Sequence, residues 1–309
     1  MKVTCFGARG SLPSPSRKGF STVEYGGNTS CYLVEAGPFR IILDHGSGAQ
    51  VLGDYIMSSG QIGVKFISLI SHYHWDHIQG LPFCTPYYLK QNEFHIHGHE
   101  PPGHEGGVRN TVERLLSAQQ VSPHFPVAHG SFPSYRRYVS ASRLFSETWY
   151  YYANEQGEYS RWAEKSEEIP EDQRIKITAI PLQHPDGCLG YRIDYQGKSV
   201  AYCSDYEPMR HTSPMINRLA ADVDLLIADG QYSEATLANS TQGFGHGTPR
   251  SCVEQAQSCR AKEVWVHHHD PRHDDKVLEM MELDAKSYAV TVGYTGTVTF
   301  AREGEHKEM

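Results

Sequence analysis

The apolar run KFISLIS, residues 65–71, leads straight into SHYHWDHIQG, residues 71–80, where His72, His74, Asp76 and His77 crowd into six positions. A run that is apolar on both faces belongs to a strand buried between layers. Metal-ligand side chains at its end belong to a loop which that strand holds rigid. His72 and His74 share one face of an extended chain, and Asp76 and His77 join them only if the chain bends. Zinc, iron and manganese all accept imidazole and carboxylate. Three imidazoles and a carboxylate are more donors than one catalytic ion takes while keeping a position open for water. The window therefore points to two ions, with further ligands arriving from elsewhere.

Around this motif the chain of 309 residues reads as strand-rich α/β. CYLVEA and FRIILDHG form a hairpin across Gly37-Pro38, and the second strand delivers Asp44 to a loop. EFHIHG is a further strand, after which regular patterning fades for some eighty residues. It returns in RIKITAIPLQH, in YRIDYQGKSVAYCSD with a tight turn at Gln196-Gly197, and in DVDLLIADG. Thr248 and Pro249 mark a helix start running to about Ala261, EVWVHHH is a strand, and Asp274 caps another helix. YAVTVGYTGTVTF is expected to close the chain as a hairpin. Polar residues gather where strands end.

Length favours one domain over residues 1–309 with an irregular insertion at about 100–172. No segment approaches eighteen consecutive apolar residues and the opening residues lack a signal-peptide pattern, so a cytoplasmic protein with no membrane partner is expected. Seven scattered cysteines with no Cys-x-x-Cys argue against a disulfide framework or a thiolate zinc site. The formal charge of -8 is the wrong sign for gripping long nucleic acid through phosphates. Eighteen histidines invite chance clustering. His95, His97, His99 and His104 read as such a case, with the alternating three on the exposed side of a strand.

The string His-x-His-x-Asp-His after a buried strand resembles the signature of the metallo-β-lactamase fold. GARGSLPSPS, YGGNTSC, ILDHGSG, SHYHWDHIQGLPF, LQHPDGCLGYRI, AYCSDYEP, LLIADGQY, GHGTPR and HHDPRHDD follow in the order of its phosphodiesterase branch, which includes tRNase Z and cyclic-nucleotide phosphodiesterases. The resemblance implies a four-layer αββα sandwich. It implies that His72, His74 and His184 hold one ion, that Asp76, His77 and His268 hold the other, and that Asp205 bridges them. Asp76 is also assigned a catalytic part. His184, Asp205 and His268 each end a predicted strand, as the first motif does. His267 and His269 are expected to point away from the site. Asp44 matches a carboxylate beneath the metal loop that orients a ligand without being one.

Two divalent ions about 3.5 to 4 Å apart share a water, lower its pKa and polarise the electrophile, so hydrolysis is implied, with zinc first and manganese or iron also suited. A lactone or thioester carbonyl and a phosphodiester remain open on the metal motif alone. GHGTPR resembles the His-x-Thr motif of tRNase Z, which makes His246 the candidate for meeting phosphoryl charge or protonating a leaving alkoxide. The other reading leaves it an exposed bystander in a turn. Arg250 is either a phosphate contact or the partner of a nearby carboxylate.

Between Glu100 and Asp172 seven Lys or Arg face eleven Asp or Glu, so a tRNA-gripping arm is disfavoured. Trp149, Tyr150, Tyr151, Tyr152, Tyr159 and Trp162 stack a base or, the reading preferred here, bury a homodimer contact. The expectation is a dinuclear phosphodiesterase acting on a small phosphodiester such as a cyclic nucleotide. Its alternatives are a lactone or thioester hydrolase and an RNA-processing nuclease of tRNase Z type. A metal-free subunit and a diiron redox protein are disfavoured, because every expected ligand is present and no flavin domain fits.

Overall fold

In the computed structural model, residues 1–101, 106–116, 127–153, 159–163, 169–208 and 214–309 are described. The first half of the chain supplies β1 (Lys2–Gly7), β2 (Cys31–Ala36), β3 (Phe39–Leu43), α1 (Gly48–Ser58), β4 (Lys65–Leu69), α2 (Trp75–Ile78), β5 (Glu93–His99), α3 (Gly107–Leu115) and β6 (Tyr135–Ala141). The second half supplies β7 (Glu147–Ala153), β8 (Tyr159–Ala163), β9 (Arg174–Leu182), β10 (Cys188–Tyr195), β11 (Lys198–Cys203), α4 (Pro214–Leu219), β12 (Leu225–Asp229), α5 (Glu234–Thr236), α6 (Pro249–Cys259), β13 (Glu263–His267), α7 (Asp275–Val292), β14 (Thr297–Phe300) and β15 (His306–Glu308). Each half builds one sheet, β15-β1-β2-β3-β4-β5-β6 and β14-β13-β12-β11-β10-β9-β7-β8, and only β15 crosses back.

The two sheets pack face to face over a core that includes Ile41, Ile67, Trp149, Ile177, Tyr191 and Trp265. Helices α1 and α3 cover the outer face of the first sheet through Leu52, Ile56, Val108 and Val112. Helices α4, α6 and α7 cover the second through Ile216, Val253, Ala256, Leu278 and Ala285. This is the expected αββα sandwich. In β4, Phe66 faces the helices while Ile67 and Leu69 face the other sheet, so both faces of the strand must be apolar. Strands β3 to β6 run parallel, as do β11 to β14, and the loops that leave their C-terminal ends gather at one end of the sandwich. Such ends are where layered α/β folds place ligands.

Four expectations about structure need correction. The stretch 100–172 is not irregular throughout: it contributes α3 and strands β6 to β8. Its strand YRRYVSA mixes charge and aromatics because it is a sheet edge, and that hides the alternation. Trp149, Tyr151 and Tyr152 are buried in their own chain rather than offered to a second copy, since β7 pairs with β9 and turns Trp149 and Tyr151 onto the inter-sheet core. The side chains of Tyr159 and Trp162 lie outside the described residues. His97 and His99 are buried as well: β5 lies between β4 and β6, and His97 Nε2 meets Tyr151 Oη at 2.6 Å. His104 lies outside the described residues.

The C-terminal hairpin is also replaced. Tyr288–Val292 completes α7, whose Leu278, Glu282, Ala285 and Ala289 form its buried stripe, and Gly293 (φ 75°) ends it. TVTF then pairs parallel to β13. Among the described residues no helix is long and apolar enough to cross a membrane.

Candidate metal centre

Every expected ligand comes from this end: His72 and His74 from the loop after β4, Asp76 and His77 from the short α2, and His184, Asp205 and His268 from the segments after β9, β11 and β13. Donor atoms of His72, His74, His184 and Asp205 lie within 4.8 Å of one another, as do those of Asp76, His77, Asp205 and His268. Asp205 is common to both groups, and the residues are separated in sequence by up to 196 positions, so the fold alone assembles them. His268 takes a left-handed backbone (φ 62°) immediately after β13, which swings its ring away from its neighbours. His267 instead packs against Tyr32 and Tyr202, and His269 stacks on Phe300 with Nε2 3.0 Å from the Ala301 carbonyl. Gly10 makes room for this bend. A Cβ there would sit 2.4 Å from the His268 ring.

The hydrogen bonds fix which nitrogen of each ring faces inward. Buried Asp44, in a left-handed conformation (φ 57°), accepts from the Ser71 N–H and hydroxyl and the Tyr202 hydroxyl, all at 2.7 Å, and from His77 Nδ1 at 2.8 Å. Because the Ser71 hydroxyl gives its proton to Asp44, His72 Nδ1, 3.0 Å away, must donate to it. His184 Nδ1 donates to the Gly245 carbonyl at 2.8 Å, and His268 Nδ1 to Gln231 Oε1 at 3.2 Å. The Nε2 lone pairs of His72 and His184 are thereby both turned toward His74 Nδ1, at 3.0 and 3.2 Å. Gly245 (φ 88°) lies so close that a Cβ would meet His184 Nδ1 at 2.3 Å.

The electrostatics ask for positive charge. Burial drives His72, His74 and His184 to the neutral form, which is the form that binds metal. Burial also opposes charge on His77, yet Asp205, Asp76 and Asp44 together draw a proton onto it, raising it well above the usual histidine range. Asp76 and Asp205 resist burial in turn and are held well below the carboxylate range by the surrounding histidines, His77 first for Asp76 and His268 first for Asp205. Lone pairs and carboxylate oxygens converge here with few protons between them. Divalent cations fit that donor set, since they neutralise the carboxylates and occupy the imidazole lone pairs at once.

His246 is not a bystander. Its ring stacks on His268 at 4.8 Å between centroids and lies 5.2 Å from that of His184, and its Nδ1 donates to buried Asp229 at 2.8 Å. Burial lowers its basicity, but Asp229, then Asp205 and Asp76, push it up to about 9. Asp76 Oδ2 accepts from the Ser11 N–H at 2.7 Å. Arg250 lies over Tyr288 and makes two bonds, at 2.8 and 2.9 Å, to Asp284 on α7, the nearby carboxylate that one of its two readings expected.

Asp229 and Glu207 have no part in the sequence reading. Asp229 is the last residue of strand LLIAD and Asp205 follows the end of β11 by two residues, and that nearness to a strand end was the available signal. Glu207 accepts from the Gly243 and Gly245 N–H groups at 2.8 to 3.0 Å, pinning the segment that holds His184 and precedes His246; nothing in its local sequence announces this.

A family model described as "Beta-lactamase superfamily domain" matches residues 143–269. Ribonuclease Z of Agathobacter rectalis is 24% identical over 318 residues, covering 93% of this chain and 95% of its own. Among solved structures, the metallo-β-lactamase fold protein YhfI of Bacillus subtilis superposes with a TM-score of 0.64 at 18% identity, covering all of this chain and 98% of that one. The short form of human tRNase Z superposes at 0.63 and 20% identity, covering 100% and 99%.

Proposed function

From a chain that carries a β-lactamase superfamily domain in a metallo-β-lactamase fold, we propose a metal-dependent phosphodiesterase that cleaves RNA. One observation carries the reading: His246, paired with Asp229, stands against both ligand groups as a built proton donor. His72, His74 and His184 would hold one divalent ion and Asp76, His77 and His268 the other, with Asp205 between them and zinc the first candidate. When bound, such ions acidify water and polarise phosphoryl oxygens. Asp44 keeps His77 in the ligating tautomer, and through Ser71 does the same for His72. Asp76, fixed by the Ser11 N–H, is placed to accept a proton from an attacking water. With Nδ1–H committed to Asp229, His246 has its Nε2 proton to give to the departing ribose oxygen.

The relatives named Ribonuclease Z support RNA rather than a small diester such as a cyclic nucleotide, and they count against the expectation that long nucleic acid is an improbable partner. That expectation averaged charge over the whole chain. The test offers metal-loaded protein a precursor-tRNA transcript, a 3′,5′-cyclic nucleotide and an acyl-homoserine lactone. Cleavage of the transcript, abolished by chelator, is expected, and His246→Ala should lower kcat about 100- to 10,000-fold with metal content intact. Turnover of the cyclic nucleotide alone would move the reading to small diesters. Turnover of the lactone alone would remove phosphodiester chemistry.

A further inference from the structure

Strand β6 ends the first sheet, so among the described residues its outer edge has no further strand beside it. A cleft of about 860 Å³ lies along this edge, with α3 as one wall. Arg109, Arg136 and Arg137 line it together with Tyr138, and among the described residues Glu113 is the sole carboxylate that lines it.

Each arginine is held in a way that leaves charge to spare. Arg136 donates to the Phe132 and Ser134 carbonyls at 2.7 and 2.8 Å and to Tyr138 Oη at 3.3 Å. These oxygens fix the guanidinium without neutralising it, and among the described residues it forms no ion pair. Its field reaches His129, which burial first and Arg136 second hold down to about 3. Arg109 occupies the first turn of α3, where the helix dipole disfavours a cation; the turn holds no acidic residue of its own, and Glu100 accepts from the Gly106 N–H at its start at 3.0 Å. Its bond to Glu113 at 3.0 Å is an exposed pair four residues apart, which a stronger anion readily replaces. Arg137, half exposed, lies 3.7 Å from Glu93.

The cleft also leads somewhere. Strand β6 runs parallel to β5 and β4, so it spans about 20 Å toward the end of the sheet where the His72 loop begins. Beyond it, Arg143 donates to the carbonyl of Asp186, two residues after His184, at 3.5 Å. We infer that this cleft binds the phosphodiester backbone of an RNA whose scissile bond lies at the metal centre. Arg136 is the fixed cation, and Arg109 and Arg137 are the two that turn from their carboxylates to phosphate. The inference rests on the phosphodiester reading above. It also explains how a segment of acidic average grips RNA: the contact depends on where the arginines gather, and net charge does not record that.

The test compares the metal-loaded parent protein with R109A/R137A, both changes being at exposed side chains. It reads binding of a precursor-tRNA transcript across a salt series and turnover of bis(p-nitrophenyl) phosphate. The double variant should bind the transcript about 10-fold more weakly at low salt, with the slope of log K against log salt smaller by about 2. Turnover of the small diester should be unchanged. Parental affinity and slope in the variant would overturn the inference while leaving the metal centre's chemistry standing. Weakened binding in a protein whose parent cleaves no diester would leave the cleft standing and remove the reading of the centre. Loss of binding to phosphatidylglycerol vesicles with RNA binding retained would assign the cleft to a lipid surface and overturn it too.

Discussion

Asp44 touches no position where substrate would sit, yet four donors end on its carboxylate and two of the candidate ligand rings take their orientation from it. Asp44→Ala should therefore weaken metal affinity about 10- to 100-fold, read by competition with a chromophoric chelator, while far-ultraviolet circular dichroism stays native. Unchanged affinity would mean that Ser71 and the strand end orient the rings without it. Asp44 was legible in the sequence because it follows a strand directly before a polar loop. The convergence of the candidate ligands was legible for the same reason, since a donor that closes an apolar run has little other use. Asp229 meets that criterion and was overlooked, because a single carboxylate without a histidine beside it looks like any strand end. Arg250 shows the converse. The sequence left a phosphate contact and a nearby carboxylate both open, and only three dimensions identify the carboxylate within reach as Asp284.

At the scale of elements, α6 begins as its sequence requires. The Thr248 hydroxyl accepts from the Ser251 N–H at 3.1 Å, Ser251 reciprocates to the Thr248 N–H at 2.9 Å, and Pro249 fills the first turn. Thr248→Ala should cost about 1 kcal/mol, measured as a lower urea midpoint at constant m-value. No loss would mean that packing against α7 holds the helix start unaided. Capping chemistry is local, which is why this helix could be read from two residues. The end of α7 could not. YAVTV is rich in β-branched residues and reads as strand, but its Ala289 continues a buried stripe begun at Leu278, and long-range packing overrides the local preference. In β6 the obstacle was different, because an edge strand carries charge where a central strand would alternate.

For the whole molecule, burial of histidines that are not among the candidate ligands sets a pH limit. Burial is the first cause holding His97, His129 and His269 down to about 3, and His45 and His99 down to about 4. The unfolded chain, with histidines near their ordinary value of about 6.5, binds protons that the folded chain refuses. Stability from these groups is thus complete above about 6.5 and is lost progressively as pH falls toward 4 and 3. In chelator, so that ion loss adds nothing, the urea midpoint should drop steadily between pH 7 and 5; a constant midpoint would contradict neutral burial. Layer order was legible from alternating apolar runs, whereas the burial of His97 depended on which strands flank β5, and no local pattern encodes that. The division of labour between the two halves of the chain has one more consequence. His72, His74, Asp76 and His77 belong to the sheet built first, and His184, Asp205 and His268 to the sheet built second. Each ion would bridge both, acting as a rivet across the sandwich, and a nicked or split chain would recover its ions only as the pieces reassociate, making uptake of the cations a gauge of assembly.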